Sequence, residues 1–199
     1  MDENTELLIY SYLTLEEVLT IFKNDIKTRD KIIKRYFKKL PKINDVGGFG
    51  ELETLKYLIS LGIIFDGSTL LSYTSESGNL KLVEYIINLG IVPDKFTLDM
   101  GCLSRNLDMV KFLISLAIEP DKNTLDKVSN TGDLEIVKYL ISLNITPNIL
   151  TLHLASGSGN LELVVYLISL KIEPDEYTLY FAVKSGNLEL VKYLESILI

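Results

Sequence analysis

The sequence is poor in the residue types that build metal sites and covalent cross-links. Its 199 residues include one cysteine, one histidine and no tryptophan. The single cysteine, Cys102, excludes an intramolecular disulfide and a zinc site made of cysteines. His153 has no second histidine with which to form a metal site. We therefore expect neither a metal nor another cofactor.

Long hydrophobic runs are also absent. No stretch approaches the roughly 20 apolar residues that a helix needs to cross a bilayer, and no charged-then-apolar leader opens the chain. We expect no membrane association, no secretion and a cytoplasmic location. Residues 27–39, KTRDKIIKRYFKK, are locally basic. They are either a solvated helix face or a nuclear-import or anion-binding patch, so the nucleus is the alternative location.

Positive charge is scarce outside the first part of the chain. Residues 1–45 carry a net charge of about +1, whereas the remainder carries −8 of the total of −7. An acidic body repels phosphate backbones, so we expect no nucleic acid partner.

A ten-residue phrase, SGNLELVKYL in its last copy from Ser185, recurs along most of the chain. Its glycine position recurs at intervals of 28, 27, 27, 27 and 27 residues, at Gly50, Gly78, Arg105, Gly132, Gly159 and Gly186. A fixed period in this range is typical of a solenoid built from stacked repeats. Apolar residues three and four apart predict that each copy is a helix.

A second, shorter helix is predicted before each long one. A threonine that precedes a leucine opens it and is expected to cap its first turn, at Thr69, Thr97, Thr124, Thr151 and Thr178. An asparagine or aspartate then opens the long helix. The long helix ends at a residue expected to be left-handed, where alanine and lysine are strained; these are Gly62, Gly90, Ala117, Asn144 and Lys171.

The pair TLHLA, from Thr151, and SGNLELVVYL, from Ser158, resembles the ankyrin repeat. The ankyrin repeat has 33 residues, so about six are missing here, five of them from its β-hairpin. The resemblance implies an all-α, ankyrin-like solenoid of short and long helices over residues 42–199. It would contain one degenerate unit and five units that start near the threonines above. The expected core of the Thr69 unit is Leu80, Val83, Ile86 and Ile87.

The resemblance implies a protein-binding surface on the short helices and their entry loops. The residues around each threonine change from copy to copy while the framework stays constant. Our predicted partner-binding residues are Lys95, Phe96, Asp99, Met100, Lys122, Asn123, Asp126, Lys127, Ile149, Leu150, His153, Leu154, Glu176, Tyr177, Tyr180 and Phe181. The alternative for each apolar member is that it packs against the next repeat.

Enzymatic sites are not indicated. Gly47-Gly48-Phe49-Gly50 lacks the Lys-Ser/Thr of a phosphate loop, and no nucleophile, histidine and acid are suitably spaced. His153 matches the ankyrin histidine, for which the resemblance implies a structural role. Cys102 lies at a small-residue position of its short helix, where buried packing is expected.

The first 41 residues form a separate segment without the repeat. Its ELL, SYL and EE before VL resemble an F-box, although the usual Leu-Pro and Val-Cys-x-x-Trp are absent. That resemblance implies binding to a Skp1-type adaptor of cullin ubiquitin ligases through Leu7, Leu8, Tyr12, Leu13, Val18 and Leu19. The alternative is a helical cap on the first repeat.

We therefore expect a non-enzymatic binding module, in one version a substrate-recruiting adaptor for a Skp1-cullin ubiquitin ligase. The alternatives are a binder without a ubiquitin link and a structural protein that self-associates through its apolar end, 197–199. A monomer is the expected state. The combination of segments is similar to proteins of large DNA viruses of protists, which would place the chain in the host cytoplasm.

Overall fold

The computed structural model describes residue 18 and residues 24–36, 52–63 and 66–198. Within these ranges the chain is helical or turns between helices, and no strand occurs in them. The predicted all-α class and the loss of the β-hairpins are confirmed over these residues. The chain divides into two compact units, Met1–Val92 and Pro93–Ile199.

The first unit contains the segment before the repeats and the first repeat helices. Its helices are α1 (Ile26–Tyr36), α2 (Leu52–Ser60), α3 (Gly67–Glu76) and α4 (Leu80–Asn88). Helix α3 and helix α2 both pack against α4. Arg29 on α1 donates a hydrogen bond of 2.9 Å from Nε to the hydroxyl of Tyr57 on α2, and its guanidinium lies 4.7 Å from that ring centroid.

The second unit alternates short-repeat and long-repeat helices. The helices are α5 (Lys95–Leu103), α6 (Leu107–Ser115), α7 (Lys122–Thr131), α8 (Leu134–Ser142), α9 (Ile149–Ser158), α10 (Leu161–Ser169), α11 (Glu176–Ser185) and α12 (Leu188–Leu198). The short helices α5, α7, α9 and α11 pack side by side in one layer, and each packs on the long helix that follows it.

The start of the short helices differs from the prediction. Asp121, not Thr124, is the N-cap of α7, and α5, α9 and α11 are arranged in the same way. The Asp121 carboxylate accepts from the Thr124 backbone N–H at 2.9 Å, while the Thr124 hydroxyl accepts from the Asp121 N–H at 3.3 Å. This reciprocal capping box satisfies two backbone donors at once. The short helices therefore begin just after this N-cap, earlier than predicted. The threonine is the third residue of the helix and is buried.

The caps of the long helices and their left-handed exits are confirmed. Asn160 accepts from the Leu163 N–H at 3.1 Å, and Asn106 and Asp133 cap in the same way. Ala117, Asn144 and Lys171 have φ of 64°, 67° and 70°. A residue with a Cβ pays about 1–2 kcal/mol in this region.

The buried stripe of the long helices is narrower than predicted. In α4, Leu82, Val83 and Ile86 are fully buried, whereas the predicted Leu80 and Ile87 are only half-buried. In α12 the buried residues are Leu190 and Leu194. The long helices of an array present one edge to the short-helix layer, so residues flanking that edge stay partly exposed.

Candidate partner-binding surface

Two positions on each short helix of the second unit form what we call the short-helix face. One directly precedes the buried threonine and the other lies four residues later, so both are on the same side of the helix. Phe96, Leu150 and Tyr177 are 55%, 46% and 59% exposed. The face consists of Phe96 and Met100 on α5, Asn123 and Lys127 on α7, Leu150 and Leu154 on α9, and Tyr177 and Phe181 on α11.

The residues that open these helices border the face. Lys122 and Glu176 are exposed, Ile149 is 36% exposed, and Lys95 is half-buried. All eight residues of the face and these four were among the predicted partner-binding residues. The structure brings them together because the capping boxes place them in the first two turns of neighbouring helices.

Aromatic rings cluster at one end of the short-helix face. The His153 and Phe181 ring centroids lie 5.8 Å apart with planes inclined by 25°, and Tyr180 meets Phe181 edge-on at 5.6 Å. Tyr177 lies 6.0 Å from His153. Such ring pairs contribute about 0.5–1.5 kcal/mol beyond area burial. Tyr177 and Tyr180 nevertheless remain more than half exposed, so the cluster presents a pre-ordered aromatic surface.

Asp99 and Asp126, two of the predicted partner-binding residues, are buried and do not belong to the short-helix face. They are only 7% and 8% exposed. Asp126 accepts a hydrogen bond of 2.6 Å from the Thr151 hydroxyl, and Asp99 accepts one of 3.2 Å from the Thr124 hydroxyl. Each carboxylate therefore joins its own short helix to the threonine of the next.

His153 occupies the equivalent position in the third of these helices. Its Nε2 lies 2.8 Å from Oδ1 of Asp175, the N-cap of α11. The expected structural role of this histidine is consistent with that contact. Tyr180 has the same position in α11 and is 51% exposed.

A groove of about 540 Å³ lies along the charged part of the face. Seven of its nine lining residues were predicted to bind a partner, and Asp121 and Asn130 were not. Asp121 lines the groove because it, and not Thr124, is the N-cap of α7. The lining residues are Lys95, Asp99, Asp121, Asn123, Asp126, Lys127, Asn130, Leu150 and Leu154.

Two groups in and near the groove have strongly shifted pKa values. The Thr124 backbone N–H, and next to it the Lys95 ammonium 3.1 Å away, hold the pKa of Asp121 at about 2 against the opposing effect of burial. Burial, and secondly the charge of Asp99, raises the pKa of Cys102 to about 12. A thiol with that pKa is not a nucleophile at neutral pH, as its predicted packing role requires.

Side chains on the long helices hold successive repeats together. Lys111 and Lys138 each place Nζ 5.7 Å from the ring centroid of a tyrosine in the next repeat, Tyr139 and Tyr166. Asn160 Nδ2 donates to the Gly132 carbonyl at 2.7 Å. These contacts were not predicted, although the recurring Lys-Tyr pair was visible in the sequence.

The candidate adaptor-binding residues Leu7, Leu8, Tyr12, Leu13 and Leu19 lie outside the described residues, and Val18 is buried. No helix in the described part of the chain is long and apolar enough to cross a membrane. Within the same ranges, no group of three or more histidine, cysteine, aspartate or glutamate residues could hold a metal ion.

Comparison with known proteins identifies the repeats. A family model described as "Ankyrin repeats (3 copies)" matches residues 125–196. Residues 125–196 therefore resemble ankyrin repeats in sequence. The crystal structure of the human ASB11 ankyrin repeat domain has a similar fold, with a TM-score of 0.60 and 17% identity over 79% of this chain and 83% of that one. No curated protein matches the chain. Ankyrin repeats are protein–protein interaction modules. The short-helix face is the candidate binding surface of this chain.

Proposed function

We propose that this chain is a non-enzymatic binding module that holds a protein partner on its short-helix face. The observation that carries the proposal is the exposed apolar and aromatic row on that face. Phe96, Leu150 and Tyr177 are 55%, 46% and 59% exposed although they lie on helices. Aromatic side chains in such positions dominate the energetics of protein interfaces.

The charged residues around this row supply specificity. Lys122 at the start of α7 and Glu176 at the start of α11 are exposed beside this row. Charged rims of this kind steer association and reject wrong partners more than they add affinity. Ordered helices also reduce the entropy that binding must overcome.

The test uses the full chain as bait in a eukaryotic lysate. Tyr177→Ser removes an exposed ring from the short-helix face, and Val165→Ser, which is 40% exposed on α10, is the matched control. We expect a captured protein that Tyr177→Ser loses and Val165→Ser keeps. Equal capture by both variants would contradict the proposal.

The adaptor version of the proposal rests on the amino-terminal sequence. Its F-box-like residues would bind a Skp1-type adaptor in the cytoplasm, of the host if the chain is viral, while the short-helix face selects the substrate. Purified Skp1 should bind the full chain and should not bind Leu8→Asp or Leu13→Asp. Binding that survives both substitutions, or no binding by the unaltered chain, would leave residues 1–41 as a helical cap, as the contact of Arg29 with Tyr57 also favours.

Self-association is the second candidate function. Leu188 is 73% exposed and Val183 57% exposed in the last repeat, so that repeat presents apolar side chains to solvent. Size-exclusion mass measured over a dilution series separates the two. A mass that stays at one chain favours the binding module, whereas a concentration-dependent increase that Leu188→Ser abolishes favours self-association.

A further inference from the structure

The Asp126 carboxylate is buried and only partly satisfied. It is 8% exposed, and its Oδ1 accepts from the Thr151 hydroxyl at 2.6 Å. Among the described residues, nothing hydrogen-bonds to its Oδ2 and no cation lies within 4 Å. No side-chain polar atom is both fully buried and without a partner in those ranges. Oδ2 is therefore open, and Asp126 lines the groove.

The preceding repeat shows how the protein satisfies the same carboxylate. Asp99 is equivalent to Asp126 by its place two residues after the threonine. Lys95 reaches Asp99 Oδ1 at 3.3 Å from the first turn of the same helix, and Lys127 Nζ bonds Asp99 Oδ2 from the next helix. Asp99 is thus bound by two ammonium groups and one hydroxyl.

The lysine of the next helix that pairs with Asp99 has no charged counterpart beside Asp126. The position of Lys127 in the next helix is occupied by Leu154, which has no charge. The position of Lys95 is occupied by Lys122, which is exposed and forms no ion pair with the residues that the structure describes. A cationic partner strongly stabilises a buried carboxylate. Among the described residues, none places a cation beside Asp126 Oδ2.

We propose that the part of the groove beside Asp126 Oδ2, which we call the slot, binds a lysine or arginine side chain of the protein partner. Its ammonium or guanidinium group would take the place beside Asp126 that Lys127 takes beside Asp99. Its aliphatic stem would lie against Leu150 and Leu154, which line the same groove, as long basic side chains do on apolar surfaces. This inference rests on the proposed function and names the chemistry of the partner.

Charge beyond the slot favours the same occupant. Residues 46–199 carry a net charge of −8. An acidic surface attracts a basic segment over the Debye length, about 10 Å at moderate salt. A partner with an acidic segment would be repelled by this net charge.

The test titrates the full chain with n-pentylammonium, which has the stem and charge of a lysine side chain, and follows the methyl NMR signals of Leu150 and Leu154. 1-Pentanol is the control for the stem without the charge. For a ligand of this size we expect a millimolar dissociation constant. The expected result is saturable shifts of both residues with pentylammonium and much weaker ones with pentanol.

Two variants test the assignment to Asp126. Asp126→Asn keeps an acceptor for the Thr151 hydroxyl and removes the charge, and should weaken pentylammonium binding about tenfold or more. Leu154→Lys supplies the missing cation internally, as Lys127 does, and should block binding. Leu154→Met is its uncharged control and should bind as the unaltered chain does.

Unsaturable shifts, or saturable binding that Asp126→Asn leaves unchanged, would overturn the inference. A negative titration would leave the proposed function standing, because the capture experiment with Tyr177→Ser does not involve Asp126. Loss of capture by Tyr177→Ser without an effect of Asp126→Asn would likewise place the partner on the face but not in the slot.

Discussion

Thr151→Val should destabilise the protein through two hydrogen bonds that no water can replace. The Thr151 side chain is fully buried. Its hydroxyl accepts from the Asn148 N–H at 3.1 Å and donates to the Asp126 carboxylate at 2.6 Å. A bond to a charged group contributes about 1.5–3 kcal/mol and a neutral one about 0.5–1.5 kcal/mol, so the free energy of unfolding should fall by about 2–4 kcal/mol. Thr151→Ser keeps the hydroxyl and should lose about 1 kcal/mol.

The last repeat provides the internal comparison. The Thr178 hydroxyl accepts from the Asp175 N–H at 3.1 Å and donates to the carboxylate of its own cap at 3.0 Å. The Asp175 side chain is 41% exposed, so water replaces the bond that its carboxylate loses, and Thr178→Val should cost only about 1–2 kcal/mol, without the inter-repeat part. Urea unfolding followed by circular dichroism measures both, with the slope m reporting any change in cooperativity. Equal costs for Thr151→Val and Thr178→Val would refute the assignment of the Asp126 bond.

Three further predictions concern packing, backbone and reactivity. Leu167→Ala, in the core, should lower the free energy of unfolding by about 2–5 kcal/mol, whereas Leu188→Ala, at a position 73% exposed, should change it by less than about 0.5 kcal/mol; chemical unfolding tests both. Lys171→Gly relieves a φ of 70° and should raise stability by about 1 kcal/mol, and an unchanged melting temperature would contradict the strain. Cys102, with a pKa of about 12, should react with a thiol reagent at pH 8 only after urea is added, and rapid labelling of the native chain would show that the thiol is accessible.

Much of the fold could be predicted because the repeat recurs at a nearly constant interval along the sequence. The positions of Asn106 and Asp133 and the left-handed exit at Asn144 all follow from local backbone chemistry, in which each residue acts on its own helix end. Recurrence every 27 residues made those assignments independent of any single copy. The structure reproduces them at each described repeat.

The site was harder to predict because its bonds connect residues about 25 positions apart. Asp126 looked like a variable surface residue, yet it bonds to Thr151 in the next helix. Periodicity indicates which face of a helix is apolar but does not show a polar side chain reaching a neighbouring repeat. The short helices were predicted to start too late, because the residues from Asp121 to Thr124 also fit a turn followed by a threonine cap. The aspartate or asparagine three residues before each threonine was the available signal for a capping box.

The central claim is that the short-helix face binds the partner, and amide hydrogen exchange of the complex with a captured protein tests it most directly. The account predicts added protection on binding in α7, α9 and α11, concentrated at their first turns around Asn123, Leu150 and Tyr177. Protection should be unchanged along the long helices α8 and α10. Added protection confined to α8 and α10, with none in the short helices, would contradict the account.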